Sequence, residues 1–177
     1  MQALKRNYFE FFSLPQAFGI DLHALELAYR QVQSAVHPDR FANAGSAEKR
    51  YAMQLATLAN EAHQALRNPL TRARYLCEIN GEEIGAEDNT AMPAEFMMQQ
   101  LEWREALEEA VDADDLAAVD LLSKQVDAVR LKLTDELSTA LDKSADFALA
   151  AGLVRRWMFL DRFAQEVNTA TRSLNRR

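Results

Sequence analysis

Tyr29-Arg30-Gln31-Val32-Gln33-Ser34-Ala35-Val36-His37-Pro38-Asp39-Arg40-Phe41 is the stretch on which the fold of this chain turns. Upstream, Leu22, Leu25, Tyr29, Val32 and Val36 recur three and four apart; downstream, Tyr51, Leu55, Leu58, Ala62 and Leu66 do the same. Each set puts one apolar face on one helix. Pro38 has no amide proton to give to a helix and disfavours helical geometry at His37. The spacing therefore predicts an antiparallel hairpin of Leu22–Val36 and Ala47–Arg67, joined by a loop over His37–Ser46. That loop presents an imidazole and a carboxylate at the end of the hairpin, where a partner could read them.

The chain has 177 residues, 49% of them hydrophobic, with five glycines and four prolines. That composition favours helices and short connections over a many-turned β fold. A single cysteine, Cys77, excludes an internal disulfide framework and a multi-cysteine zinc site, and a reducing compartment is its simplest home. Met1 to Phe12 lacks the uninterrupted apolar core of a secretion signal, and no apolar run is long enough to span a bilayer. The expectation is a cytoplasmic protein with no membrane partner.

Charge is uneven. Residues 1–80 hold nine Lys/Arg against seven Asp/Glu, a formal +2, and residues 81–177 hold eleven against twenty, a formal −9. No basic stripe survives in the second half, so nucleic acid is not an expected partner, and a cationic protein surface suits that half better.

Five further helices are expected around the hairpin. A short one over Lys5–Phe12 offers Tyr8, Phe9 and Phe12 to a small core. Asn68-Pro69 starts another, since proline is tolerated in a first turn, and Gly81 stops it after about Asn80. Residues 82–92, with Gly85 and four acids, lack helical periodicity and read as a linker. Beyond them, helices are expected from Pro93 to about Asp112, over Asp114–Leu141 and over Ala145–Ser173. Val119, Leu122, Val126, Val129, Leu133 and Leu137 form the seam of the second. Leu149, Leu153, Trp157, Leu160, Ala164 and Val167 line the third. The fold class is all-α, with two separate cores expected on either side of the linker.

The helix starting at Pro93 carries a second feature. At about 100° per residue, Phe96, Gln100, Trp103, Leu107 and Ala110 define a core side. Met98 and Leu101 fall nearly opposite, among Glu105, Glu108 and Glu109; Met97 lies between the faces, and Glu102 borders the outer one. Phe159 is similarly displaced from the apolar side of its own helix, with Arg155 and Arg162 nearby. Large apolar groups clustered among carboxylates on a solvent side indicate either a binding patch or packing against the first half of the chain or the linker.

The ordered string Tyr8-Phe9, Leu14-Pro15, Asp21, Leu25, Tyr29 and His37-Pro38-Asp39-Arg40-Phe41 resembles a J domain. Asn60-Glu61-Ala62, Leu66, Asn68-Pro69, Arg72-Ala73 and Tyr75 extend the match over roughly the first eighty residues. Phe96 through Glu109 and Arg155 through Arg162 resemble the second half of the HscB type of co-chaperone. That resemblance implies an L-shaped arrangement of a J domain (1–80), an acidic linker (81–92) and a scaffold-binding three-helix bundle (93–177). It implies two partners: an HscA-like ATPase chaperone, and the IscU-like scaffold on which iron–sulfur clusters are built. Chaperone contacts would come from Tyr29, Arg30, Gln33, His37, Pro38, Asp39 and Arg40. Scaffold contacts would come from Met97, Met98, Leu101 and Phe159, with acidic contacts from Glu102, Glu105 and Glu109. The chain lacks the cysteine-rich N-terminal segment of some eukaryotic relatives, which implies the bacterial form.

One departure is informative. Between Asp21 and Val36 the only Lys/Arg is Arg30, where many J domains carry several. Weaker electrostatic steering fits a dedicated chaperone rather than promiscuous use of general ones. The nearest alternative is a general J-domain folding co-chaperone whose acidic bundle holds unfolded clients. A helical enzyme using His37 and Asp39 as acid and base is a rival from another class, and a purely structural adaptor is a third. No Ser/His/Asp set or phosphate-gripping glycine loop is present, so neither catalytic residues nor a cofactor is expected. Cys77, His63 and His23 are too scattered in sequence to suggest a metal site.

Overall fold

The computed structural model describes residues 6–41, 44–85 and 93–176. Among them seven α-helices follow in order: α1 (Tyr8–Phe11), α2 (Leu22–Ala35), α3 (Ser46–Arg67), α4 (Pro69–Ile79), α5 (Ala94–Asp112), α6 (Leu116–Ser138) and α7 (Phe147–Leu174). A 3₁₀ turn, Pro38–Phe41, follows α2, and a π turn, Thr139–Lys143, separates α6 from α7. No strand occurs among the described residues. The fold is all-α, the class that the composition and the apolar spacing favour. No helix among them is long and apolar enough to cross a membrane.

Local chemistry sets the ends of these helices. The Asp21 carboxylate accepts from the amides of His23 and Ala24 at 2.8 and 3.2 Å, filling orphan donors at the start of α2. Asn68 does the same for Leu70 and Thr71, with Pro69 in the first turn of α4. Asp115 and Asp146 cap α6 and α7. Gly81, at φ +92°, closes α4: its amide donates to Glu78 and that of Glu82 to Cys77. Those paired bonds need a left-handed residue, which glycine adopts without strain.

The hairpin of α2 and α3 closes over Leu25, Ala59, Ala62 and Leu66, with Phe9 and Phe12 against it. In the second half, α5, α6 and α7 bury Trp103 and Leu107, Leu133 and Leu137, and Trp157 and Leu160. Each fully buried leucine contributes about 1.5–3 kcal/mol.

Two expectations need correction. The halves do not hold separate cores, because one contiguous buried cluster runs from Phe9 to Val167. Helix α4 buries Ala73, Leu76 and Cys77 and packs along α7. Ile84, expected in the linker, is buried in the same cluster. The remainder of the expected linker, residues 86–92, and Lys5 of the expected first helix lie outside the described residues. Leu149 has the angular phase of the α7 seam but is 53% exposed. It stands in the first turn of α7, and the continuous buried side begins one residue later at Ala150.

Candidate functional sites

The first site is the tip of the hairpin. Val36 ends α2, its amide still reaching the Val32 carbonyl at 3.0 Å, and Pro38 forces the chain into the 3₁₀ turn. There Arg40 donates its amide to the His37 carbonyl at 3.0 Å, and Asp39 donates its amide to Nδ1 of His37 at 3.4 Å. The Arg40 guanidinium folds back to the Ser34 carbonyl at 3.4 Å, meeting an orphan acceptor at the end of α2. The Asp39 carboxylate is left 91% exposed, 3.6 Å from His37 Nδ1. A carboxylate this free, on a turn held by its own backbone, is placed to meet an arginine or lysine from outside.

One and two turns back along α2, Gln33 and Tyr29 point toward α3. Asn60 Oδ1 accepts from the Tyr29 hydroxyl at 2.9 Å and from the Gln33 side-chain amide at 2.8 Å. Tyr29 also stacks on the His63 ring, with centroids 4.2 Å apart. His63 Nε2 donates to Glu26 Oε1 at 2.8 Å, and Arg67 stands 3.9 Å from the same oxygen. The hydrogen bond from His63 holds the Glu26 carboxyl below its ordinary range, with help from the nearby charges of Arg67 and Arg30. Arg30 is exposed.

The structure thus brings His37, Pro38, Asp39 and Arg40 together at one tip. It holds Tyr29 and Gln33 in a fixed network and leaves Arg30 in solvent. Sequence reasoning missed Asn60 and Glu26 as members of this network. Asn60 stands in a motif already singled out, but only the fold shows what its amide does. His63, weighed as a metal ligand, is committed to Glu26, and the Cys77 thiol faces the Phe147 carbonyl at 3.9 Å. Among the described residues no cluster of His, Cys, Asp and Glu could hold a metal ion.

The second site lies on α5. Phe96, Trp103, Leu107 and Ala110 are buried, and Trp103 stacks on Phe163 of α7 with centroids 5.5 Å apart. On the other side Met97, Met98 and Leu101 are 52%, 64% and 60% exposed, among exposed Glu102, Glu105 and Glu109. The described residues leave them largely uncovered, and residues 86–92 of the linker, the other packing partner that the alternative offered, lie outside the described residues. Gln100, expected on the core side, is half-buried there.

Phe159 is half-buried on α7, with the Arg162 guanidinium 5.5 Å from its ring centre. The Arg156 guanidinium lies 5.1 Å from the Phe96 ring centre. That pairing and the Trp103–Phe163 stack make α5 and α7 run parallel, which puts Phe159 level with Gln99, in the turn holding Met97, Met98 and Leu101. Met98 and Glu102 border a groove of about 800 Å³ whose far wall includes Lys132 and Arg156. The rim is therefore acidic on α5 and mixed across the groove.

Residues 92–168 match the family model described as the HSCB C-terminal oligomerisation domain. The chain is 53% identical over 168 residues to the "Co-chaperone protein HscB homolog" of Burkholderia multivorans, covering 94% of this chain and 95% of that one. It is 48% identical over 176 residues to the homolog of Paraburkholderia phymatum, covering 99% of each. Among solved structures, chaperone HscB from Vibrio cholerae superposes with a TM-score of 0.84 at 34% identity, covering 96% of this chain and 99% of that chain. The human co-chaperone protein HscB superposes with a TM-score of 0.86 at 29% identity, covering 93% and 81%.

Proposed function

The chain belongs to the HscB co-chaperone family, and from that premise we propose that it is a two-ended adaptor in the cytoplasm of a bacterium. One end, residues 1–80, stimulates the ATPase of an HscA-like chaperone through His37, Pro38, Asp39 and Arg40 with Tyr29, Arg30 and Gln33. The other end, residues 93–177, holds an IscU-like scaffold and delivers it to that chaperone for iron–sulfur cluster transfer. The part played is that of an activator rather than a catalyst.

The observation that carries this reading is the exposed cluster of Met97, Met98 and Leu101 among Glu102, Glu105 and Glu109, opposite the buried side of α5. An apolar centre supplies affinity when it is desolvated, and flanking carboxylates select a basic rim. At the hairpin tip, the exposed Asp39 carboxylate supplies the complementary contact to the chaperone. Holding cargo and activator on one chain raises their effective concentration on the chaperone without any new contact.

The test measures chaperone ATPase with wild type and His37→Gln, alone and with scaffold. Stimulation by wild type and its loss in a folded His37→Gln variant support the first end; equal stimulation by both removes it. Titration of scaffold against a variant carrying Met98→Ala, Leu101→Ala and Phe159→Ala tests the second. Unchanged affinity removes the scaffold claim and leaves the general folding co-chaperone, for which denatured protein would compete.

A further inference from the structure

We infer that Asp142 is a positioning residue that clasps the hairpin half to the bundle half, fixing the angle at which chaperone and scaffold are presented to each other. Asp142 sits in the π turn between α6 and α7 and spends both carboxylate oxygens on two successive amides of one distant loop. Oδ1 accepts from the Phe18 amide at 2.6 Å, and Oδ2 accepts from the Gly19 amide at 2.9 Å. Those amides lie more than a hundred residues earlier, in the loop leading into α2.

Arg72 of α4 grips the same loop from the other side. Its Nε donates to the Phe18 carbonyl at 2.7 Å, its Nη1 donates to the Leu66 carbonyl, and its guanidinium lies 5.2 Å from the Phe18 ring centre. Phe18 and Arg72 are both buried. Burial pushes the Arg72 guanidinium pKa down while the Asp142 charge pushes it back up, so the two ends of the clasp support one another. A Cβ at Gly19 would stand 3.3 Å from Asp142 Oδ2, tight enough that the carboxylate would have to yield.

The geometry matters because the other seam between the halves among the described residues, α4 along α7, is mostly apolar, with Ala73, Leu76 and Cys77 buried and one long thiol contact to the Phe147 carbonyl. Apolar contact is strong but non-directional, so burial alone favours any arrangement that covers the same area. Charge-assisted bonds at both oxygens of one carboxylate are directional and admit one arrangement. Effective concentration collapses when geometry forbids both ends from engaging at once. A clasp at the junction therefore converts two binding ends into one coupled event. This consequence for activity rests on the adaptor function proposed above; the positioning itself does not.

The experiment uses the full chain with spin labels on cysteines placed at exposed Met53 of α3 and Leu131 of α6, leaving buried Cys77 in place. Pulsed electron resonance reads the distance between halves in wild type, Asp142→Ala and Asp142→Asn. The asparagine variant keeps one oxygen acceptor and the side-chain shape, and serves if the alanine variant does not fold. The expected result is a narrow distribution in wild type and a broadened one in the variants, at unchanged helicity. In parallel, scaffold affinity and scaffold-free ATPase stimulation should stay within about twofold of wild type, while the extra stimulation caused by scaffold falls at least about threefold. An unbroadened distribution, or intact scaffold-dependent stimulation, overturns the inference. If wild type itself stimulates nothing, the adaptor reading fails, and the distance measurement alone decides whether Asp142 positions the halves.

Discussion

His63 Nε2 and Glu26 Oε1 meet at 2.8 Å across the α2–α3 hairpin. The bond makes the carboxylate form of Glu26 more favourable in the folded chain than in the unfolded one, so its folded pKa lies below the ordinary 4.5. A depressed carboxyl pKa contributes stability that is fully present above the unfolded value and lost as pH falls through the folded one. Wild type should therefore be more stable than Glu26→Gln near neutral pH. The difference should shrink as pH drops below about 4.5. Urea unfolding across that range checks it, and a difference independent of pH would show that Glu26 does not act through its charge.

Asn60 holds two of the side chains assigned to the chaperone contact. Asn60→Ala removes the shared acceptor of Tyr29 and Gln33. Both donors lie near water, so the loss of stability should be only about 0.5–1.5 kcal/mol. The concentration giving half-maximal ATPase stimulation should nonetheless rise several-fold at an unchanged maximum, because the face is present but no longer ordered. Asn60→Asp keeps both acceptor contacts and should restore it. Equal half-saturation in wild type and Asn60→Ala would show that the network is structural only.

What the sequence reveals here is whatever depends on neighbours in the chain. Pro38, Pro69 and Gly81 mark helix ends because each acts on its own backbone, and the structure ends helices beside all three. The outward phase of Met98 and Leu101 follows from helical geometry alone. What it conceals depends on distant partners. The packing of α4 on α7, which merges the expected two cores, leaves no periodic signal. The bonds from Phe18 and Gly19 to Asp142 join segments with no shared pattern. The π turn at Thr139–Lys143 is equally silent, since nothing in its composition departs from an ordinary helix end. Leu149 shows the limit of phase, which gives the direction of a side chain and not whether anything stands there to cover it.

Cys77 should be nearly inert in the folded protein. Burial, assisted by the charges of Glu82 and Glu78, pushes its thiol up to about 11 from an ordinary 9.0. At pH 8 the reactive thiolate fraction is then lower by about a hundredfold, before any loss of access. Reaction with an aromatic disulfide should be slow in buffer and fast in urea. A native rate matching the unfolded one would mean that α4 does not stay closed over α7.

Leu101 and Leu107 share one helix and should fail in opposite ways. Leu107 is buried beneath α5, and Leu107→Ala should cost about 2–5 kcal/mol of stability through the cavity it leaves. Leu101 projects outward, so Leu101→Ala should change stability by less than about 0.5 kcal/mol. Scaffold affinity should fall at least about fivefold in Leu101→Ala, the loss expected when an apolar anchor is removed from the centre of an interface. Under conditions where Leu107→Ala is folded, its affinity should stay near wild type, since its side chain is buried within the bundle. Denaturant melts and scaffold titrations on the same two preparations separate the effects. A Leu101→Ala variant that loses stability but keeps its affinity would place that residue in a core rather than on an interface.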